Sequence, residues 1–364
     1  MHLDEITLYR AELPLTTPYR LSYNTFDSFE PLIVEVRDAD GRVGWGEQHI
    51  SPGSSVETRD GGWVFACEMA TALAGAEADD AKRQVQARAV ESKVAASALV
   101  TAIEMLEGAP ALAKDGPHRL RLLTAFNATD RDGIAAEVET RLAEGYRTFK
   151  IKVGKDVVAD IERFAWIQTC VAGRATLRVD ANRAYSREDG MRFAAAIDPA
   201  GVELFEQPCD DKDWDANAAV AGVSTVPLML DEPICALADI DRAATIPGVG
   251  LCKVKLKRFG SVSGLAEALA RIAERGLGAV LGDGLGSEIN CWMEACVADG
   301  ALDNAGEFNG FTKVRPEARL LVDPLPFADG VIELPAGWWP QVDRERLTAR
   351  TLARERFAPT RVGV

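Results

Sequence analysis

Eight polar residues recur along the chain from residue 127 onward at an almost constant spacing. Successive members lie 24 to 28 residues apart, close to one strand–helix unit of a barrel of about 250 residues. Several of them end or follow an apolar stretch, as in "LFEQP" and "LMLDEP". The spacing predicts that their side chains meet at one end of a barrel, where active sites of this architecture lie. The eight residues are Asn127, Lys152, Asp180, Glu206, Asp231, Lys255, Asp283 and Glu307.

Three consecutive members of the series are carboxylates: Asp180, Glu206 and Asp231. Carboxylates that converge in apolar surroundings need a counter-charge to remain ionised. A hard divalent cation meets that need, and Mg²⁺, or Mn²⁺ in its place, binds oxygen ligands while leaving positions for substrate and water. The alternative is that the three acids form salt bridges with neighbouring lysines.

Two lysines bracket these carboxylates. Lys152 lies one predicted strand before them and Lys255 one predicted strand after them. A lysine close to other cations has a lowered pKa, nearer to that of a useful general base. We expect the two lysines to flank the α-proton of a metal-bound carboxylate. Removal of that proton would give an enediolate whose charge the metal stabilises.

Lys150 precedes Lys152 in the stretch "RTFKIKVG". Its alternation with Phe149 and Ile151 predicts a strand that carries both lysines on one face. We interpret Lys150 as a second positive charge one pleat deeper, which lowers the pKa of Lys152 or contacts the substrate carboxylate. For this stretch alone, an edge strand that presents its lysines to water is the alternative.

The elements that carry these residues divide the chain into three predicted parts. Residues 1–50 alternate as antiparallel strands, and residues 66–107 are alanine-rich with helical spacing. From residue 119, strand and helix patterns alternate through eight strands, which predicts an α/β fold of the (β/α)8, or TIM barrel, type. We predict an α+β capping domain over 1–118, the barrel over 119–318 and a C-terminal segment over 319–364.

The amino-acid composition and net charge narrow the classes of molecule that the protein could bind. The 364 residues are 47% apolar and carry a net charge of −15, which disfavours binding of nucleic acid or an anionic membrane. No apolar run is long enough to span a bilayer, and Asp4 and Glu5 stand where a signal peptide needs positive charge. The three histidines lie far apart, which argues against a histidine zinc site or a Ser-His-Asp triad. We predict a cytoplasmic protein that acts on a small-molecule carboxylate.

The motifs "KIK", "VDAN", "EQP", "LDEP" and "VKL", in this order and spacing, resemble those of the enolase superfamily, in its mandelate racemase/muconate lactonizing enzyme subgroup. The resemblance covers nearly the whole chain, including "GWGE" near the start. It implies that the N-terminal part caps the barrel mouth, that the C-terminal tail completes the cap and that the protein is a homo-oligomer. It also implies matching roles for the residues above: metal ligands Asp180, Glu206 and Asp231, acid/base lysines Lys152 and Lys255, and Lys150 as the first lysine of the K-x-K pair.

Some positions depart from the family pattern. Lys253 stands two residues before Lys255, where relatives often carry asparagine, and we expect it to lie deeper in the barrel and to pair with an acid. The seventh strand is followed by "GDGLGS" in place of a turn containing "ES". The eighth reads "GEFNG", whereas relatives that epimerise dipeptides carry D-x-D there. These changes keep the residues that would transfer the proton, but they do not indicate which substrate the protein binds.

Five further residues are candidate substrate contacts. Asn182 shares a face with Asp180, although it could equally cap a loop. Asp283 and Glu307 could hold a cationic or hydroxyl group of the substrate, or serve as helix caps or ion-pair partners. Tyr19 and Tyr23 lie in a loop over residues 19–26 that the resemblance folds over the substrate, and the alternative is that they only pack the cap.

The predicted activity is Mg²⁺-dependent abstraction of a carboxylate α-proton. Lysines on both sides of the substrate favour a racemase or epimerase of an amino-acid derivative or a related carboxylate. The first alternative is a lyase, either a dehydratase or a cycloisomerase of a muconate-like substrate. A Schiff-base aldolase that uses Lys152 is a weaker rival. A non-catalytic barrel that binds a partner is the alternative from another class, and the intact lysines and carboxylates argue against it.

Overall fold

The N-terminal part of the chain forms an antiparallel sheet, a hairpin and helices in the computed structural model, which describes residues 1–20, 25–53, 56–114 and 116–359. The strands are β1 (Glu5–Ala11), β2 (Leu13–Arg20), β3 (Thr25–Phe29), β4 (Leu32–Arg37) and β5 (Val43–Gln48). The sheet contains β1, β4 and β5, and β2 pairs with β3. Tyr23 lies outside the described residues. The helices are α1 (Arg59–Leu73), α2 (Ala78–Arg88) and α3 (Lys93–Glu107).

The "GWGE" motif lies on β5, and its glycines allow α3 to pack directly on the sheet. A Cβ atom on Gly46 would lie 2.0 Å from the carbonyl oxygen of Ala98, and one on Gly44 would lie 2.1 Å from that of Ala102. Any larger residue at either position would therefore push the helix away from the strand. The motif sets the distance between the cap sheet and its helices.

A parallel sheet follows, in which each strand pairs with the next one along the chain. This confirms the predicted (β/α)8 arrangement of the α/β fold. None of the described helices is both long enough and apolar enough to cross a bilayer. After β6 (His118–Arg121), the barrel strands are β7 (Thr124–Phe126), β8 (Thr148–Lys152), β9 (Thr176–Asp180), β10 (Val202–Glu206), β11 (Leu228–Leu230), β12 (Val249–Val254) and β13 (Gly278–Leu281). The helices are α4 (Arg131–Ala143), α5 (Val157–Val171), α6 (Arg187–Ala196), α7 (Trp214–Val223), α8 (Leu237–Ala243), α9 (Leu256–Phe259), α10 (Val262–Glu274) and α11 (Glu288–Ala298).

The ring of strands closes through residues 305–308, which hydrogen-bond to both sides without forming a regular strand. The N–H of Glu307 donates to the carbonyl oxygen of Leu281 at 2.8 Å, and the N–H of Leu123 donates to that of Gly306 at 3.0 Å. The stretch "LRLLTAFNAT" at residues 120–129 has the pattern of a first barrel strand, but it is divided in the structure. Leu122 and Leu123 are both buried, so the alternation breaks there and only β7 joins the barrel.

The C-terminal segment serves both the barrel and the cap. β15 (Val331–Leu334) pairs with β6 beside the barrel, and β16 (Thr351–Phe357) pairs antiparallel with β1, from Ile6 opposite Phe357 to Ala11 opposite Thr351. The tail therefore completes the cap sheet, as predicted. Short 3₁₀ turns cover Gly310–Thr312 and Pro316–Ala318, and the remaining elements are β14 (Phe327–Ala328), β15 (Val331–Leu334), α12 (Arg344–Ala349) and β16 (Thr351–Phe357).

The interior of the barrel changes from apolar to charged along its axis. Leu204, Met229 and Val280 form a small buried cluster. Because alternate residues of a strand share a face, Glu206 lies one layer above Leu204, and Lys253 lies above Leu251. The strands thus place their charged side chains at the same height, in the layer just below the mouth of the barrel.

Glu47, the acid of "GWGE", joins the cap to the barrel. Its carboxylate accepts hydrogen bonds from the N–H groups of Ser287 and Asn290 at 2.6 and 3.0 Å, and from the Ser287 hydroxyl at 2.5 Å. These donors form the N-terminal end of α11, where the partial positive charge of a helix favours a carboxylate. One cap side chain therefore fixes a helix of the barrel.

Replacing Glu47 with alanine should lower the free energy of unfolding by about 2 to 3 kcal/mol, because buried donors at the start of α11 would lose their acceptor. Urea denaturation measures this change. Glu47→Gln should lose less, since its amide oxygen can still accept a hydrogen bond. The exposed Glu317 supplies the control, and Glu317→Ala should change stability by no more than about 0.5 kcal/mol. Equal losses in the two alanine variants would contradict the anchoring role.

Candidate active site

Lys150 lies in the charged layer with its ammonium group among three carboxylates. Its Nζ is 2.9 Å from Asp180 Oδ2, 2.8 Å from Glu206 Oε2 and 2.8 Å from Glu307 Oε1, and its side chain is 4% exposed. Burial opposes the charged form, but the three acids outweigh it and raise the pKa of Lys150 well above its ordinary value. Lys150 is thus a lasting positive charge at the base of the site.

Lys152, at the end of β8, opens toward the mouth of the barrel. Its side chain is 37% exposed. Nζ donates to Asp180 Oδ2 at 2.5 Å and also to the side-chain oxygen of Asn182. The backbone N–H of Asn182 donates to the other oxygen of Asp180 at 2.8 Å. The structure therefore brings Asn182 to the lysine, and the two acceptors fix the position of its ammonium group.

Lys255 follows β12 and contacts the third carboxylate, Asp231. Its Nζ lies 3.0 Å from Asp231 Oδ1, and Nη1 of Arg258 lies 2.8 Å from the same oxygen. Burial, with the charge of Arg258, lowers the pKa of Lys255. Burial would raise the pKa of Asp231, but Lys255 and Arg258 hold it well below its ordinary value. Lys255 and Lys152 therefore contact different carboxylates, on strands at opposite sides of β10.

Lys253 lies one layer below Lys255 and pairs with acids, which confirms the expectation for this position. Its Nζ is 2.9 Å from Glu206 Oε1 and also contacts Glu307. Glu206 and Glu307 each have Lys150 on one oxygen and Lys253 on the other. Both oxygens of Glu307 are therefore bound to lysines of the chain itself.

The carboxylates of Asp180, Glu206 and Asp231 have the donor chemistry that suits a hard divalent cation. Asp180 and Glu206 are register partners on β9 and β10. The Oε2 atom of Glu206 is buried and accepts no hydrogen bond of good geometry from the described residues, although Lys150 Nζ is close to it. Ammonium groups hold the three acids here, and no group of three or more His, Cys, Asp or Glu side chains in the described ranges is gathered as a formed metal site. The donor set fits Mg²⁺.

Residues 133–338, more than half of the chain, match the family described as Enolase C-terminal domain-like. The chain belongs to the enolase superfamily. Its solved neighbours include a mandelate racemase/muconate lactonizing protein, which agrees with the subgroup indicated by the motifs. This enolase-superfamily chain is therefore an enzyme of the isomerase or lyase type.

Its relatives include enzymes of both types. L-Ala-D/L-Glu epimerase of Bacillus subtilis is 28% identical over 287 residues, which cover 75% of this chain and 78% of the epimerase. o-Succinylbenzoate synthase of Geobacillus stearothermophilus is 29% identical over 284 residues, which cover 74% of this chain and 73% of the synthase. The dipeptide epimerase of Cytophaga hutchinsonii, solved with Mg and the dipeptide D-Ala-L-Val, has a TM-score of 0.88 at 19% identity and covers 98% of this chain and 100% of its own. The last comparison shows a shared fold.

Asp283 lies at the rim of this enolase-superfamily barrel, beside a lysine that sequence reasoning did not select. Lys257 Nζ is 2.5 Å from Asp283 Oδ2, and the N–H of Leu285 donates to Oδ1 at 3.0 Å. Burial would raise the pKa of Asp283, but Lys257 and Lys255 lower it to about 2. Asp283 is therefore an ionised partner of Lys257.

The cap contributes His49 and Tyr19 near the same rim. The His49 ring packs against Phe26 and Phe29 at 5.8 and 5.4 Å between centroids. Neither of its ring nitrogens has a hydrogen-bond partner among the described residues. Burial lowers the pKa of His49 to about 3, so the ring is neutral at physiological pH. Tyr19 lies close to the turn after β13. Its hydroxyl oxygen is 3.1 Å from the position that a Cβ atom on Gly284 would occupy.

Proposed function

We propose that the enzyme is a racemase or epimerase of an amino-acid-derived carboxylate. The observation that carries this proposal is the placement of Lys152 and Lys255, each bound to a different carboxylate of the predicted metal-binding group. A substrate carboxylate held among these acids would present its α-carbon between two amines. Proton removal on one side and proton delivery on the other invert the configuration.

In this proposal the two lysines share the proton transfer. Lys255, whose pKa is lowered by burial, gives up its own proton more readily than an ordinary lysine and is therefore suited to serve as the base. Lys152 is held by Asp180 and Asn182 and is the more exposed of the two. In the reverse direction their roles exchange, as microscopic reversibility requires. Lys150 does not take part in the proton transfer, because three acids keep it charged; it positions Asp180 and Glu206.

Asp180, Glu206 and Asp231 are proposed to bind the divalent cation, Mg²⁺ or Mn²⁺. When bound, the cation would stabilise the negative charge that develops on the substrate carboxylate as the α-proton leaves. The protein contributes fixed positions for these three acids, since each is buried and held by lysine or arginine contacts.

A lyase is the second candidate, and the relationship to o-succinylbenzoate synthase favours it. In a lyase only one lysine needs to remove the α-proton, while the other stays charged or returns a proton elsewhere. The same lysines and carboxylates could serve either reaction, so the product formed from the substrate distinguishes a lyase from a racemase.

Deuterium incorporation tests the proposal. The enzyme with Mg²⁺ in D₂O should exchange the α-proton of at least one class among N-acyl amino acids, dipeptides, hydroxy acids and sugar acids, and EDTA should abolish the exchange. Exchange with inversion, measured by mass spectrometry and chiral chromatography, supports the racemase. Loss of water or formation of a lactone assigns a lyase. Exchange that persists in EDTA would contradict the metal-dependent proposal.

A further inference from the structure

Lys313 lies at the rim of the barrel, in contact with both of the last two strand ends and near the cap. Its Nζ donates to the carbonyl oxygen of Gly284 at 2.8 Å and to the side-chain oxygen of Asn309 at 2.7 Å. It also lies 4.9 Å from the centroid of the Tyr19 ring. Gly284 follows β13 and Asn309 follows the closing segment, so Lys313 is at the same end of the barrel as Lys152 and Lys255.

The ammonium group of Lys313 contacts neutral groups where the other lysines of the mouth contact acids. It forms no ion pair with any Asp or Glu of the described ranges; its acceptors are carbonyl and amide oxygens. By contrast, Lys150, Lys152, Lys253, Lys255 and Lys257 each pair with a carboxylate.

Asp283 and Glu307, the acids whose charges act on Lys313, are already bound elsewhere. Asp283 pairs with Lys257, and Glu307 pairs with Lys150 and Lys253. Burial lowers the pKa of Lys313 to about 8, as expected for a cation that lacks a close counter-charge. The Lys313 side chain is partly buried. A partly buried cation without an anionic partner is costly, and a ligand carboxylate would supply the missing charge-assisted hydrogen bond.

We propose that Lys313 binds a second carboxylate of the substrate, so that the substrate is a dianion with one carboxylate at the reacting carbon and another several bonds away. This inference rests on the proposed function, because it assumes that the first carboxylate lies among Asp180, Glu206 and Asp231. The second carboxylate could belong to an N-acyl group or to the amino-acid side chain. A substrate with an ammonium group at this position would meet the charge of Lys313.

Two matched pairs of probes test the inference by isothermal titration calorimetry with the Mg²⁺-loaded enzyme. N-succinylglycine is compared with N-butanoylglycine, and N-acetylglutamate with N-acetylglutamine. The second compound of each pair keeps its α-carboxylate and is called the neutral probe because its other end is uncharged. We expect the dianion of at least one pair to bind about 10- to 100-fold more tightly than its neutral probe, as hydrogen bonds to charged groups allow. The pair that shows the preference identifies which part of the substrate carries the second carboxylate.

Lys313→Met should remove that preference and leave the affinity for the neutral probes within about twofold, since only the charged contact is lost. Lys155→Met is the matched control, because Lys155 is exposed and forms no ion pair in the described chain; it should keep the preference. Equal binding of acid and neutral probes by the wild-type enzyme, no binding of either dianion, or a preference that survives in Lys313→Met would each overturn the inference.

Deuterium exchange separates this inference from the proposed function. If dianions bind through Lys313 but no carboxylate exchanges its α-proton, the proposed activity fails and the anion site stands. If N-acyl amino acids with a single carboxylate exchange and the dianions show no advantage, the activity stands and the anion site fails. Thermal melts of the Lys313→Met variant confirm that it is folded before either result is interpreted.

Discussion

Replacement of Lys152 by alanine should reduce α-proton exchange from one enantiomer of the substrate by about 10²- to 10⁴-fold, the contribution expected of a general base. Lys255→Ala should cause a loss of similar size for the opposite enantiomer. The reason is geometric: the two lysines contact Asp180 and Asp231, which lie on opposite sides of Glu206 in the strand order. Each single variant would retain the base that faces the other enantiomer, while inversion would stop in both.

Mass spectrometry of deuterium uptake, with each pure enantiomer as the starting compound, measures this effect. Lys155→Ala is the control, because this exposed residue lies three positions beyond Lys152 in the chain and should leave both rates unchanged. If the wild-type enzyme exchanges only one enantiomer and both variants lose that exchange, a single base is at work. That result would indicate that the enzyme is a lyase and not a racemase.

Replacement of Lys150 by methionine should lower the free energy of unfolding of the metal-free enzyme by about 3 to 5 kcal/mol, the cost of removing one partner from a buried charge group. Asp180, Glu206 and Glu307 all lie within 2.9 Å of its ammonium nitrogen. Without it they would repel one another in a site that excludes water. Methionine keeps most of the side-chain volume, so the loss reports mainly on charge.

Urea denaturation in EDTA measures the stability of this variant, and Lys155→Met serves as the surface control. Addition of Mg²⁺ should recover part of the lost stability, because a divalent cation supplies a counter-charge to the same acids. A change below about 1 kcal/mol in EDTA would show that Lys152 and Lys253 together balance the carboxylates. Stability of the Lys150→Met variant that does not respond to Mg²⁺ would argue against the proposed ligands.

The periodic part of the molecule could be predicted from the sequence. Asp180 and Glu206 end apolar strands of regular length, and the alternation of side chains fixes which face they occupy. The same rule placed Lys253 below Lys255 and predicted its acid partner. Residues 305–308 were harder to predict, because this short segment closes the ring by hydrogen bonds to both neighbours without a regular strand of its own.

The residues that the sequence did not reveal lie where separate parts of the chain meet. Arg258 is brought to Asp231 by the short helix α9, which begins inside "GLCKVKLKRFG" (residues 250–260), a stretch whose sequence pattern favours a strand throughout. His49 comes from the cap, and nothing near it in the sequence indicates that Phe26 and Phe29 will surround it. Lys313 follows a turn, and its lack of an acid partner can be seen only once the neighbouring acids are placed. A lysine three residues after the eighth-strand motif "GEFNG" was the only available signal.

The pairing of β16 with β1 can form only after translation of the chain has reached β16. Ile6 pairs with Phe357, so β1 keeps one open edge while about 350 residues are translated. An open strand edge favours association with other chains, and contacts so distant in sequence form slowly. Chains interrupted within the barrel would therefore carry an incomplete cap sheet, a feature that chaperones and proteases can recognise. Recognition of incomplete chains thus depends on whether β16, which completes the cap sheet, has been synthesised.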